Sequence, residues 1–102
     1  MKIDFKKLTE IYGTNLIYEL KENIEDVEEN INYLIKLGFT RVYDIVELYP
    51  YMFLMTEDIF KEKVNLLIEH LGVEYISLLE EITDLWGGVE IDKWKRFTIN
   101  YK

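Results

Sequence analysis

The sequence predicts an all-α fold, a short stack of helical repeats with about five or six helices. Two observations carry that prediction. Apolar residues recur at three- and four-residue spacing along most of the chain, the period of one helix face. The run Ile31-Asn32-Tyr33-Leu34-Ile35-Lys36-Leu37-Gly38-Phe39 then returns as Val64-Asn65-Leu66-Leu67-Ile68-Glu69-His70-Leu71-Gly72-Val73, with His70 slipped in before the second Leu-Gly. Gly38 and Gly72 therefore mark the same point in two successive units. A repeated helix pair cannot bury its apolar face alone, so neighbouring units must stack. The chain of 102 residues reads as one domain: N-terminal capping helices over 1–22, a repeat core over 23–88 and a C-terminal tail over 89–102.

The first helix spans Asp4 to Tyr12, with Phe5, Leu8, Ile11 and Tyr12 on one face. Asp4 suits the N-cap and Gly13 the stop. Thr14 or Asn15 caps the next helix, whose apolar side is Leu16, Ile17 and Leu20. Glu22 to Leu37 is the clearest helix, striped by Ile24, Val27, Ile31, Leu34 and Ile35. Asn23 with Asp26 resembles a capping box. Glu25, Asp26, Glu28 and Glu29 favour its N-terminal half and Lys36 its C-terminus, as the helix dipole prefers. Gly38 fits the left-handed position after it, with Phe39 as the apolar residue beyond.

Thr40 caps a short helix through Val42, Ile45, Val46 and Tyr49, and Pro50 ends it. Tyr51-Met52-Phe53-Leu54-Met55 could be a buried strand by composition; with no partner strand before it, it reads as a buried turn of helix or irregular packing. Thr56 caps a long helix carrying Ile59 or Phe60, Val64, Leu67, Ile68 and Leu71, stopped by Gly72. The last helix runs from Val73 or Glu74 to Trp86 with Ile76, Leu79, Ile82 and Leu85 or Trp86 inward, and Gly87-Gly88 breaks it. In the tail, Val89 and Ile91, then Phe97, Ile99 and Tyr101, alternate with polar residues. That pattern reads as a small β-hairpin or an extended tail, or as a basic helical turn at Asp92–Phe97. An alternating tail also suits a strand-exchanged dimer.

The ordered series Leu34, Leu37, Gly38, Phe39, Ile45, Pro50, Leu54, Thr56, Val64, Leu67, Leu71, Gly72, Val73 resembles the repeat of the mitochondrial transcription termination factor (mTERF) family. That repeat is a long helix ending in Leu-Gly-Phe or Leu-Gly-Val, a short helix, a proline, a Leu-rich turn and a polar cap before the next long helix. The resemblance covers about Ile24 to Trp86. It implies the stacked architecture, with Leu37, Gly38, Phe39, Pro50, Leu71 and Gly72 as its structural markers. Family members bind double-stranded nucleic acid through a positive concave face. Here the net charge is −8, so the architecture is what carries over.

That charge disfavours nonspecific binding to nucleic acid or an anionic membrane. With 49% hydrophobic and 15% aromatic residues, the chain can bury one modest core. It has no cysteine, which removes disulfide and thiol chemistry and suits a reducing compartment. Neither a secretory signal nor a transit pattern opens the sequence, and no apolar run approaches bilayer-spanning length; the expected location is cytoplasmic.

Candidate chemistry is sparse. His70, the only histidine, lies at a helix C-terminus, and Ser77, the only serine, has no elbow motif around it. Glu22, Glu25, Asp26, Glu28 and Glu29 read first as a solvated helix face; a divalent cation could sit on them but no EF-hand loop accompanies them, and the same stripe could receive a basic partner or mimic a phosphate track. Lys93, Trp94, Lys95 and Arg96, with Phe97, form a basic-aromatic cluster suited to partner or nucleic-acid contact. Tyr43, Tyr49, Tyr51, Met52, Phe53 and Met55 read as packing between repeat units, or, where exposed, as a partner-binding surface. The sequence shows no Walker loop, dinucleotide fingerprint or metal-ligand spacing. It therefore reads as a non-enzymatic protein-interaction module without a cofactor. The alternative is a small nucleic-acid-binding or transcription-related protein using the basic tail.

Overall fold

The computed structural model describes residues 3–90. Six α-helices of seven residues or more follow one another: α1 Phe5–Tyr12, α2 Thr14–Glu22, α3 Ile24–Leu37, α4 Val42–Leu48, α5 Glu57–Leu71 and α6 Tyr75–Glu81. Short 3-10 segments lie at Pro50–Leu54, Gly72–Glu74 and Thr83–Trp86, and a four-residue turn, α7 Gly87–Glu90, comes last. No strand occurs among the described residues. The all-α class follows directly from the helical periodicity.

Asp4 caps α1 through its side chain, which accepts from the Lys7 N–H at 3.1 Å. Leu8 is fully buried, Phe5 and Tyr12 half-buried, but Ile11 is 55% exposed. One side of α1 meets α2, and Ile11 falls outside that contact. Gly13 stops α1 at φ 94°, and Thr14 is the first residue of α2 rather than its cap. Asn23 separates α2 from α3 without capping α3. Its amide reaches back to the Glu19 carbonyl at 2.9 Å, so the anticipated capping box with Asp26 does not form.

Two units share the order long helix, short helix, 3-10 segment, the second with a further 3-10 turn, Gly72–Glu74, between its helices. Their starts keep one constant offset, from Ile24 to Glu57, from Val42 to Tyr75 and from Pro50 to Thr83. Burial keeps the same register. Val27 pairs with Phe60, Ile31 with Val64, Leu34 with Leu67, Val46 with Leu79 and Phe53 with Trp86, all buried. Even the two buried polar residues, Asn30 and Lys63, occupy matching positions. α3 packs on both α5 and Pro50–Leu54, so the first unit closes on itself and on the second.

The two Leu-Gly corners are not alike. At Gly38 (φ 112°, ψ 4°) the Gly38 N–H bonds the Ile35 carbonyl and the Phe39 N–H the Leu34 carbonyl, the Schellman pattern. At Gly72 (φ 83°, ψ −161°) the chain leaves in another direction. Phe39 is consequently buried, its ring 6.0 Å from Tyr75 and 5.6 Å from Trp86. Val73 is 95% exposed. The pairing of these two residues across the repeat thus holds in sequence and fails in space.

Other expectations need correction. Ile35 and Ile82 are about half exposed, and Phe60 rather than Ile59 enters the core. Thr56 stands at the N-cap of α5, but its hydroxyl donates to the Asp58 carboxylate at 2.9 Å instead of accepting a backbone N–H. The last helix is not continuous to Trp86, because Ile82 (φ −111°, ψ 75°) divides α6 from Thr83–Trp86. Gly87-Gly88 does not break the chain's helical course: Gly87 is right-handed at φ −58°, ψ −30°, and α7 follows. Val89, read as the start of an alternating tail, is buried in that turn. The hairpin, extended-tail and basic-turn readings of 91–102 lie outside the described residues.

Candidate functional site

Of the residues singled out in the sequence, Lys93, Trp94, Lys95 and Arg96 lie outside the described residues. The repeat markers are placed as packing groups: Phe39 and Pro50 are buried, Leu37 and Leu71 half-buried, and Gly38 and Gly72 form the corners. His70 and Ser77 are exposed on α5 and α6. No group of three or more His, Cys, Asp or Glu able to hold a metal occurs among the described residues. Of the aromatic and methionine set, Met52 and Phe53 are in the core, and Tyr43, Tyr49 and Met55 are half-buried. Tyr51 is 48% exposed and meets Tyr12 edge-on at 6.2 Å.

One concavity is a groove of ≈ 410 Å³ between the start of α1 and α3, with Tyr43 of α4 at its far side. Helical periodicity builds its long wall. Ile24, Glu28, Ile31 and Asn32 sit at i, i+4, i+7 and i+8 of α3 and therefore face one way. Ile31 is buried and forms the floor; Ile24 is half-buried, and Glu28 and Asn32 are exposed at the rim. Ile3 and Phe5 supply the opposite wall. The Lys21 ammonium lies 5.2 Å from the Phe5 ring centroid. The groove thus offers an apolar bed with a carboxylate, an amide and a phenol at its edge. That is recognition chemistry: apolar area for affinity, a few polar groups for orientation.

A second cleft, of ≈ 460 Å³, is lined by charged and polar side chains: Asp26, Thr56, Glu57, Asp58 and Lys61 at the start of α5. There the Asp58 carboxyl is held below its usual range, first by the Thr56 hydroxyl and then by the Ile59 N–H. Lys61 is raised by its hydrogen bond to Glu57, 2.8 Å away. Lys7 is raised in the same way by Glu47 across α1 and α4, at 3.1 Å. These exposed pairs each contribute little to stability.

Three interactions escape a reading of the sequence. The Glu80 carboxylate of α6 accepts the Thr40 N–H at 2.8 Å and the Arg41 N–H at 3.1 Å, with the Thr40 hydroxyl at 3.2 Å. Glu80 therefore ties the link before α4 to the second unit, while the N-cap position of α4 is Arg41, not Thr40, and carries no side-chain cap bond. The Tyr12 hydroxyl donates to the Glu47 carbonyl at 2.6 Å, tying α1 to α4. Asn30 donates from Nδ2 to the Phe53 carbonyl at 3.1 Å and the Met55 carbonyl at 2.8 Å. Only Asn30 leaves a signal, as a polar residue inside the apolar stripe Val27–Leu34. Glu80 and Tyr12 act between elements distant in the chain, which periodicity cannot see.

Residues 3–90 carry seven Lys or Arg against nineteen Asp or Glu, a net of −12 (7 − 19). No helix among the described residues is long and apolar enough to cross a membrane. Comparison with family models, with curated proteins and with solved structures gives no match.

Proposed function

We propose that this chain is a non-enzymatic, cytoplasmic protein-binding module, a short helical-repeat array that receives a partner protein on the groove between α1, α3 and α4. The groove is the observation that carries the reading. It is an apolar concavity open along about two helical turns of α3, the shape and composition in which partner side chains anchor. The order of elements, recurring at a constant offset, supports the mTERF-like architecture. The −12 of the described residues speaks against that family's nucleic-acid role, since a phosphate backbone is repelled by such a body.

Affinity capture on the full chain, with and without nuclease, tests the proposal. Recovery of the same protein under both conditions supports it; recovery of nucleic acid and no protein sinks it. The basic-aromatic run Lys93, Trp94, Lys95, Arg96 favours a second reading, contact with single-stranded nucleic acid by charge and stacking. A salt-dependent gel shift abolished by changing Lys93, Lys95 and Arg96 to Glu would establish that reading instead.

A further inference from the structure

We infer that the occupant of the α1/α3/α4 groove is a basic amphipathic helix of a partner protein; this rests on the protein-binding reading above. The groove's own chemistry selects that class. Its α3 wall runs from Ile24 to Asn32, about 12 Å at a rise of about 1.5 Å per residue. That length matches a partner helix presenting anchors at i, i+3 or i+4 and i+7. The bed of the groove is apolar side chain from α1 and α3, so the anchors are apolar.

Charge sets the partner's other face. Glu28 stands in the rim, and exposed Glu25 lies three residues before it on the same helix. Neither takes part in an ion pair among the described residues, whereas Glu29 faces the neighbouring cleft with Lys36 and Lys61. Among the described residues no Lys or Arg lines the groove, and the Lys21 ammonium lies over the Phe5 ring. A helix with Lys or Arg beside its apolar anchors meets this rim with opposite sign. An acidic helix, a nucleic acid or an anionic lipid surface meets it with like sign.

Fluorescence anisotropy of a labelled synthetic Leu/Lys amphipathic helix against the full chain is the test, with a Leu/Glu helix of the same apolar pattern as its counterpart. The Leu/Lys peptide binds and the Leu/Glu peptide does not. Glu28→Lys weakens binding by about tenfold or more, which is about 1.4 kcal/mol. Asn32→Trp, which fills the groove from an exposed position, does the same. Glu69→Lys, an equal charge change on the exposed side of α5, stays within about twofold of the parent chain, given screening over a Debye length of about 8 Å. Equal losses from Glu28→Lys and Glu69→Lys would mean general attraction to an acidic body and would overturn the inference, as would no binding at all.

Two other occupants are separable. Tighter peptide binding after Lys93, Lys95 and Arg96 are changed to Glu would identify the chain's own tail as the competitor. A dimer dissolved by Asn32→Trp would identify a second copy; either result overturns the basic-partner assignment. A natural partner captured equally by the parent chain, Glu28→Lys and Asn32→Trp refutes the groove while leaving the protein-binding reading in place.

Discussion

Removing the Asn30 side chain should destabilise the fold far more than a single surface change. Asn30 is fully buried on α3. Its amide donates to the carbonyls of Phe53 and Met55, at 3.1 and 2.8 Å, where the Pro50–Leu54 turn ends. Those two bonds fix the exit of the first unit against its long helix. In Asn30→Ala, two hydrogen bonds of about 1 kcal/mol each are lost, and two carbonyls lose a partner at about 1 kcal/mol or more each. The Asn30 Oδ1, buried without a hydrogen-bond partner, is removed as well, which returns part of that cost. The expected loss is about 2–4 kcal/mol, a large share of the ~5–15 kcal/mol of a small domain. Asn30→Leu, closer in volume, should lose about 1–3 kcal/mol because the donors are still missing. Asn30→Asp makes the sharper test, since it sets a carboxylate against two carbonyl oxygens in a buried site. Its folded-state pKa must then rise above the unfolded ~3.9. The protonated form can donate one bond, so the variant is most stable below about pH 4 and loses stability as pH rises through the folded pKa. Urea unfolding followed by far-UV circular dichroism measures all three variants. The clamp is refuted if Asn30→Ala loses less than about 0.5 kcal/mol, the low end for one net hydrogen bond. An Asp variant equally stable at neutral and acid pH would refute it too.

The remaining predictions concern helix ends. Glu80→Ala should cost about 1–2 kcal/mol by removing the bonds that tie the link before α4 to α6; hydrogen exchange at the Thr40 and Arg41 amides should speed up more than at α3, and equal rates would count against that tie. Gly38→Asn should be milder than Gly72→Asn in thermal melts, because Asn tolerates the left-handed region near φ 112°, ψ 4° but not φ 83°, ψ −161°. Gly38→Ala adds a 3.1 Å approach to the Ile76 Cδ1, which that flexible side-chain end can absorb in part. The Asp58 carboxyl is held below its ordinary 3.8, so its contribution is present above that pH and is lost as pH falls through the folded value. Asp58→Asn should therefore be less stable than the parent chain near neutral pH and converge with it in strong acid; a gap independent of pH would show that the Thr56 and Ile59 contacts do not act through charge.

Helix number, the capped start of α1 and the Schellman end of α3 are legible in the sequence because each is local. Asp4, Leu8 and Gly13 lie within a few turns of one another, and Leu34, Gly38 and Phe39 within two. The sequence misleads where tertiary contact decides the outcome. Ile11, Ile35 and Ile82 match the apolar period but have no neighbouring element among the described residues to cover them, whereas Asn30 and Lys63 break the period and are buried. Capping residues mislead for a related reason. Thr40 and Thr56 are good caps by type, yet Glu80 of the second unit takes up the Thr40 hydroxyl and Asp58 the Thr56 hydroxyl. The groove is not legible at all, because its two walls come from α1 and α3 and its far side from α4.

His70 explains why a repeat so regular in burial has unlike corners. α5 has 15 residues and α3 has 14, yet α6 starts at the same offset from α4 as α5 does from α3. The added helical residue turns the exit of α5 by about 100° relative to that of α3. It must be taken back before α6, and it is: Gly38 to Arg41 join α3 to α4, while Gly72 to Glu74, one residue fewer, join α5 to α6. The longer link leaves room for a Schellman turn that aims Phe39 inward at Tyr75 and Trp86. The shorter link does not, so Gly72 takes an extended ψ and Val73 points to solvent. Deleting His70 should therefore restore the Leu-Gly-Val corner to the geometry of Leu-Gly-Phe, and Val73, now 95% exposed, should become protected. A cysteine-reactivity measurement on Val73→Cys, with and without His70, decides it: unchanged reactivity would mean that Val73's outward position is set by the packing around it and not by helix length.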